Sequence, residues 1–217
     1  MSNTIIPITM EDAKVILNQA GEKIKRDIFI PFFKSIKNEY RLGVIKGSSP
    51  KVFVKKIINV EDLNDFSSTS AGLYVILTDY KQGYKENPCK LKINNLNNIK
   101  AIYRGQASNI RLRLKSHLFH ELYEHERIND INKDKVRHDN YIVCMKLIDR
   151  KEEGINLHKD EELQKANWYV IYHGLRDSNQ YIREKAEEAF DAVFGKPICS
   201  EYYGAISNHP GESEPPS

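Results

Sequence analysis

Two tyrosines, an arginine and a histidine in the middle of the chain carry the functional groups that phosphodiester hydrolysis requires. Tyr74 and Tyr103 lie in two short apolar runs, and Arg113 and His117 follow in a predicted helix. A phenol, or a water molecule that a phenol holds, can supply the nucleophile. A guanidinium can stabilise the negative charge that develops on the phosphoryl group. These side chains predict a hydrolytic site wherever the fold brings them together.

The elements that carry these residues are predicted to place them side by side. The runs at 72–78 and 99–105 are predicted to be paired β-strands, and successive side chains of a strand alternate between its two faces. One tyrosine from each strand can therefore lie on a shared face. Arg113 and His117 are one helical turn apart, so both project from the same side of the helix that follows.

The order of these residues resembles the motif of the GIY-YIG nucleases. Gly72-Leu73-Tyr74 is similar to the first half of that motif. The second half is matched at the family's spacing by Tyr103, Gly105, Asn109, Arg113 and His117. The resemblance extends from residue 72 to about residue 200. It implies an α+β fold whose small antiparallel sheet has three strands or slightly more and is flanked by helices.

The resemblance also implies an activity and a cofactor. Members of this family usually hydrolyse DNA phosphodiester bonds with a single divalent ion, Mg²⁺ or Mn²⁺ in its place, held by a glutamate on a later helix. By this resemblance, Tyr74 or Tyr103 orients or deprotonates the attacking water and Arg113 steadies the scissile phosphate. His117 assists proton traffic or phosphate binding.

Glu187 is the predicted metal ligand. Apolar residues follow Glu187 three and seven positions on, as in the family's helix, and a proline, Pro197, comes soon afterwards. Counting back from Pro197 selects Glu188 instead. At about 100° per residue, Glu188 lies on the solvent side of the helix, whereas Glu187 borders its apolar arc. A metal ligand must face the sheet, which favours Glu187, and Glu184 is a third choice on orientation.

Two positions depart from the family's pattern. Arg104 stands between Tyr103 and Gly105, where the middle residue is normally aliphatic. It is predicted to face away from Tyr103 and to be either an exposed arginine on the sheet edge or a contact to a DNA phosphate. Ser200 stands where an asparagine is common.

A long insertion at 79–98 separates the two halves of the motif. It is predicted to be either a solvated surface excursion or a DNA-reading loop, because it is rich in lysine. The residues predicted to contact DNA are Arg104, Arg111, Lys115, Lys85 and Lys92.

The chain is expected to divide into three parts. Residues 1–70 form a helical N-terminal extension, with two helices or one kinked helix over 9–42 and one strand at 51–60. Residues 71–207 form the nuclease-like domain, with further strands at 141–148 and 168–173 and a helix that ends near Gly195. Residues 208–217 form a flexible tail.

Composition excludes several classes of protein. Of 217 residues, 40% are hydrophobic and 29% charged, which excludes disordered and collagen-like chains. Three cysteines without a CxxC pair argue against a disulfide framework or a zinc finger. No run of apolar residues is long enough to span a membrane. A soluble, cytoplasmic protein is expected, and its net charge of +3 is only a weak pointer to polyanions.

The sequence thus predicts a divalent-metal-dependent endonuclease that acts on DNA. Sequence-specific cleavage of the restriction type comes first, because no second DNA-binding module is recognisable, and such an enzyme often acts as a homodimer on DNA. The alternatives are a structure-directed, repair or mobile-element nuclease, and a catalytically inactive DNA-binding protein.

Overall fold

The computed structural model describes residues 9–49, 51–66, 71–81, 86–131, 144–150 and 153–200. The predicted tail at 208–217 and Lys85 lie outside these residues. Within them, no helix is long and apolar enough to cross a membrane.

The fold is α+β and is built on a five-stranded antiparallel sheet, larger than the three strands of the simplest expectation. The strand order is β1-β2-β5-β3-β4, so β4 forms one edge and β3 lies beside it. The strands are β1 (Gly43–Ile45), β2 (Val52–Ile57), β3 (Gly72–Thr78), β4 (Lys100–Ala107) and β5 (Trp168–Gly174).

Helices cover both faces of the sheet. They are α1 (Met10–Ile24), α2 (Ile30–Ile36), α3 (Ile110–Leu118), α4 (His120–Ile131), α5 (Glu161–Gln164) and α6 (Gln180–Phe194). Between α1 and α2 the chain widens into a π-helical turn, Lys25–Phe29. This is where a kink was predicted, because Pro31 lacks an N–H and its ring crowds the preceding turn.

Local sequence sets where the two helices that carry the site begin. The Asn109 side chain accepts a hydrogen bond from the Leu112 N–H and caps α3, and Asn179 caps α6 in the same way through the Ile182 N–H. The first of these two helices, α3, ends at Leu118. The backbone leaves helical geometry at Phe119, and α4 begins after it.

Each sheet face has its own hydrophobic core. On one face, α2 and α6 pack against Leu73, Val75 and Leu77 of β3. On the other face, α3 packs against Tyr74 and Ile76 of the same strand. Alternation along β3 thus divides its side chains between two cores, as expected for a central strand.

The N-terminal extension joins the same body as the nuclease-like region. Its strands β1 and β2 add to the sheet beside β5. Its helix α2 places the Phe33 ring 5.7 Å from that of Phe190 and 6.0 Å from that of Phe194 on α6. The extension is therefore part of the main core, a property that its own periodicity did not indicate.

The described end of the insertion, residues 86–98, is solvated on one side, as in the surface excursion that was predicted, but packs its other side against the protein. Cys89, Leu91 and Ile93 are buried, while Lys90 and Lys92 between them are exposed. The Lys90 N–H donates to the Phe194 carbonyl (2.6 Å). The alternation of apolar and charged residues was visible in the sequence and signalled a segment with one buried side.

The strand predicted at 141–148 is not formed in the part that the structure describes. Residues 144–148 belong to no strand, and Leu147 makes only an isolated bridge to Arg150. Met145 and Leu147 are buried in the core beside α3 instead. The apolar residues of this segment are buried in the core, but the described part of the segment does not pair with a strand of the sheet.

A buried histidine at the end of β5 predicts a pH dependence of stability. His173 is 1% exposed, its Nε2 lies 3.0 Å from the Tyr40 hydroxyl, and burial lowers its pKa from 6.5 to about 3. Below pH 6.5 the unfolded chain binds a proton at this residue that the folded chain does not. The free energy of unfolding therefore falls by about 1.4 kcal/mol per pH unit as the pH drops from 6.5 towards 3.

Urea unfolding of the parent and of His173→Gln between pH 5 and 7.5 measures this contribution. All other titrating groups are common to both proteins, so the difference between their pH slopes isolates His173. We expect the variant to be less stable than the parent at neutral pH. Below pH 6.5, its free energy of unfolding should fall less steeply with decreasing pH, by about 1.4 kcal/mol per pH unit, because one titrating group has been removed. Identical slopes in the two proteins would contradict the assignment.

Candidate active site

The structure brings Tyr74, Tyr103 and His117 together on one sheet face, as predicted. Ring centroids are 4.8 Å apart for Tyr103 and His117, 5.7 Å for Tyr74 and His117, and 6.1 Å for the two tyrosines. His117 is fully buried, Tyr74 is 1% exposed and Tyr103 is 8% exposed. Of the three rings, Tyr103 lies closest to solvent.

Glycine at position 105 allows the two phenols to lie this close. Gly105 pairs with Tyr74 across β3 and β4. A Cβ atom at residue 105 would lie 2.7 Å from Tyr74 Cζ and 3.0 Å from Tyr103 Cε1, closer than carbon atoms pack. A side chain here would therefore push the rings apart, which gives the motif glycine a steric reason.

Hydrogen bonds fix the tautomer of His117. The Met145 N–H donates to its Nδ1 (2.8 Å), and its Nε2 lies 2.6 Å from the Tyr74 hydroxyl oxygen. Burial, and then the charge of Arg113, lower the pKa of His117 well below its usual value, so the ring is neutral. A neutral ring that accepts at Nδ1 carries its hydrogen on Nε2 and donates it to Tyr74.

The hydroxyl of Tyr74 also forms a hydrogen bond with that of Tyr103. The pKa of each phenol is above its usual value, chiefly because both are buried. Both tyrosines are therefore neutral at physiological pH.

The burial of His117 is incompatible with one of its predicted roles, direct phosphate binding. Its ring is completely buried and both nitrogens are used inside the protein, so it cannot contact a phosphate directly. The partner at Nδ1, the backbone of Met145, lies in the segment predicted to be a strand at 141–148, and that prediction indicated no contact with His117.

Arg113 lies one turn from His117 on α3, as predicted, and is half-buried. Its positive charge lowers the pKa of Tyr74, Tyr103 and His117, so it stands close to all three rings. No carboxylate among the described residues forms an ion pair with it. An unpaired guanidinium beside neutral phenols is suited to binding an anion.

Glu187 approaches the same cluster from the other side of β4. Its helix packs on the face opposite α3, yet its charge raises the pKa of both Tyr74 and Tyr103 across the edge strand. Burial, the main cause, raises the pKa of Glu187 itself to about 7. Asp191 and Glu184 raise it further, and Arg104 opposes them.

Glu188 faces solvent rather than the sheet, as the helical geometry predicted. Its carboxylate is exposed and pairs with Lys185 (2.7 Å) and with Lys25 on the N-terminal helices (3.1 Å). Of these two neighbouring glutamates, Glu187 is the one that faces the sheet.

Arg104 is not the exposed edge arginine that the sequence predicted. Its side chain is only 17% exposed and forms two hydrogen bonds to Asp191, of 2.7 and 3.1 Å, and one of 3.2 Å to Glu187 Oε1. Arg104 pairs with Val75 and so lies on the α6 face of the sheet. Asp191 escaped the sequence analysis, although its position one turn after Glu187 put it on the same helix face.

The Ser200 side chain supports edge strand β4 by binding to the backbone of the strand. The Arg104 N–H donates to Ser200 Oγ (3.0 Å), at the edge where no further strand pairs with β4. A side-chain oxygen thus satisfies a backbone donor that the sheet edge would otherwise leave unpaired.

The other residues predicted to contact DNA have different surroundings. Arg111 and Lys92 are exposed, whereas Lys115 is mostly covered and pairs with Glu126. Arg104 is held by carboxylates. Of the members of the predicted set that the structure describes, Arg111 and Lys92 are the ones with exposed side chains.

One oxygen at Glu187 suits a divalent ion. Oε1 accepts from Arg104, and no described residue donates to Oε2. Mg²⁺ is commonly bound through one or two carboxylates together with waters and substrate phosphates, so a single carboxylate oxygen beside a phosphate site fits it. The described residues contain no cluster of three or more histidine, cysteine, aspartate or glutamate side chains that could form an all-protein metal site.

Comparisons with protein-family models, with curated proteins and with solved structures find no match for this chain. The resemblance to GIY-YIG nucleases therefore rests on the motif residues and on their arrangement alone.

Proposed function

We propose that this protein is a divalent-metal-dependent endonuclease that hydrolyses DNA phosphodiester bonds. The observation that carries the proposal is the convergence of two phenols, an arginine with no carboxylate partner among the described residues and a mostly buried glutamate around the edge strand β4. The residues involved are those to which the resemblance to GIY-YIG nucleases assigns roles, namely Tyr74, Tyr103, Arg113, His117 and Glu187.

The phenols are suited to orienting a water molecule. Burial raises the pKa of both, so neither is an anionic base at neutral pH. Tyr103 is the better candidate to meet the substrate, because Tyr74 is sealed inside and bonded to His117. The Met145 N–H sets the tautomer of His117, and His117 in turn holds the Tyr74 hydroxyl beside Tyr103.

Arg113 supplies the charge that the reaction needs. Water attacks phosphorus, the bond from phosphorus to the leaving oxygen breaks, and negative charge builds on the phosphoryl oxygens in between. A guanidinium already in place stabilises that charge without reorganising. Glu187 would hold the ion, which when bound acts as a Lewis acid on the phosphate.

Within this class we favour sequence-specific cleavage of the restriction type over structure-directed, repair or mobile-element roles. Such an enzyme cuts both strands by acting in pairs, so size-exclusion chromatography with and without DNA tests for a homodimer. A catalytically inactive DNA-binding role is the second candidate. It is favoured by the contact of Arg104 with the carboxylate that would hold the ion.

Incubation with supercoiled plasmids of known sequence and Mg²⁺, with an EDTA control, tests the proposal. We expect discrete fragments that disappear on chelation, because a single ion is required. Random nicking would indicate a structure-directed or nonspecific nuclease. Intact plasmids, together with intact branched and modified DNA, would overturn the enzymatic proposal in favour of binding alone.

A further inference from the structure

We propose that Arg104 is a resident counter-cation of the metal site, which keeps divalent-ion binding weak until DNA arrives. This inference rests on the proposed function, since it assumes that Glu187 is the ligand. It goes beyond that function because it assigns a role to a residue at which the chain departs from the family's pattern.

The Arg104 guanidinium forms two hydrogen bonds with Asp191 but only one with Glu187. Nε and Nη2 bind the two oxygens of Asp191 in a bidentate fork, whereas Glu187 receives one longer bond from Nη1. Bidentate pairing with a carboxylate is the strong and geometrically specific arrangement for arginine. Asp191 therefore anchors Arg104, and Glu187 is the partner whose bond is more easily given up.

Because the site is mostly buried, the positive charge of Arg104 acts strongly on an ion bound at Glu187. The side chains of Arg104, Glu187 and Asp191 are 17%, 16% and 22% exposed, so solvent and salt screen their interactions only in part. A guanidinium 3.2 Å from a carboxylate oxygen repels a divalent cation that binds the same carboxylate. DNA offsets that repulsion, because its phosphate oxygens add negative charge and further ligands.

The same positive charge helps the site to accept DNA before an ion is bound. Glu184, Glu187 and Asp191 follow one another at intervals of one helical turn on α6, so their three carboxylates lie on one side of the helix. Without Arg104, these carboxylates would face an approaching phosphate backbone without the cation that is bonded to two of them. Arg104 thus opposes the ion and favours the polyanion.

Replacing Arg104 by glutamine should therefore change two affinities in opposite directions. Mn²⁺ binding without DNA, measured by isothermal titration calorimetry, should tighten at least about tenfold. DNA binding in EDTA, measured by fluorescence anisotropy, should weaken at least about threefold. Loss of structure alone would weaken both. Arg104→Lys, which keeps the charge, is the matched control and should stay close to the parent in both measurements.

Two further variants keep the inference testable. If Arg104→Gln leaves Asp191 unpaired and fails to fold, Arg104→Gln/Asp191→Asn removes both partners and should still bind Mn²⁺ more tightly than Asp191→Asn, which lacks the same carboxylate. Adding Glu187→Gln to Arg104→Gln should abolish the tightened binding. Unchanged or weaker Mn²⁺ binding in the folded variants would overturn the inference.

These results are separable from the proposed function. Plasmid cleavage by the parent together with unaltered Mn²⁺ affinity in Arg104→Gln would reject the counter-cation role alone. Mn²⁺ binding that persists without Glu187 would reject both the inference and the metal assignment on which it rests.

Discussion

Replacing Glu187 by glutamine is expected to reduce the rate of DNA cleavage about a thousandfold or more, with the fold retained. Glutamine has nearly the same volume, and its carbonyl oxygen can still accept from Arg104. It cannot supply an anionic oxygen to a divalent ion, and loss of that Lewis acid removes several kcal/mol of transition-state stabilisation. About 4 kcal/mol corresponds to a thousandfold change in rate. Single-turnover cleavage of plasmid DNA at saturating protein measures the effect.

Glu188→Gln is the matched control for this experiment. Glu188 is adjacent on the same helix but pairs with Lys25 and Lys185 on the surface. We expect its substitution to leave the cleavage rate within about threefold of the parent, since exposed ion pairs contribute little. If the two variants exchanged these outcomes, the ligand assignment would belong to Glu188. Full activity in both would remove the metal role from this part of α6.

Replacing Arg113 by alanine is expected to lower the cleavage rate by a factor of about 10² to 10³, the usual cost of removing one preorganised group that stabilises transition-state charge. Arg113 is the charged side chain that lies close to both phenols and to His117 while pairing with no described carboxylate. The loss should appear in the single-turnover rate more than in DNA affinity, because the charge it stabilises is largest in the transition state.

Arg111→Ala provides the comparison for Arg113. Arg111 is exposed on the same helix, two residues earlier. As a phosphate contact it should weaken DNA binding and reduce the salt dependence of that binding, with little change in the rate at saturation. Circular dichroism of both variants checks that α3 is intact. A cleavage rate for Arg113→Ala equal to that of Arg111→Ala would rule out a special role for Arg113 in the reaction.

The placements that the sequence predicted for the candidate site residues follow from local geometry. Helical periodicity put Arg113 and His117 on one face, and it turned Glu187 towards the sheet and Glu188 away from it. Alternation in two neighbouring strands placed Tyr74 and Tyr103 side by side. In each case the spacing along the chain is also the spacing in space, because one secondary-structure element, or two adjacent strands, sets it.

The partners of these residues were decided by the tertiary structure. Arg104 meets Glu187 and Asp191 across 83 and 87 residues of sequence, and no local pattern indicates which carboxylates will face a strand residue. The same holds for the Met145 backbone that sets the tautomer of His117. The sequence by itself therefore determined which side chains share an element's face. Only the packing of α6 around edge strand β4 decided which of them are buried, neutral or paired, because burial and partner charges come from elements distant in the chain.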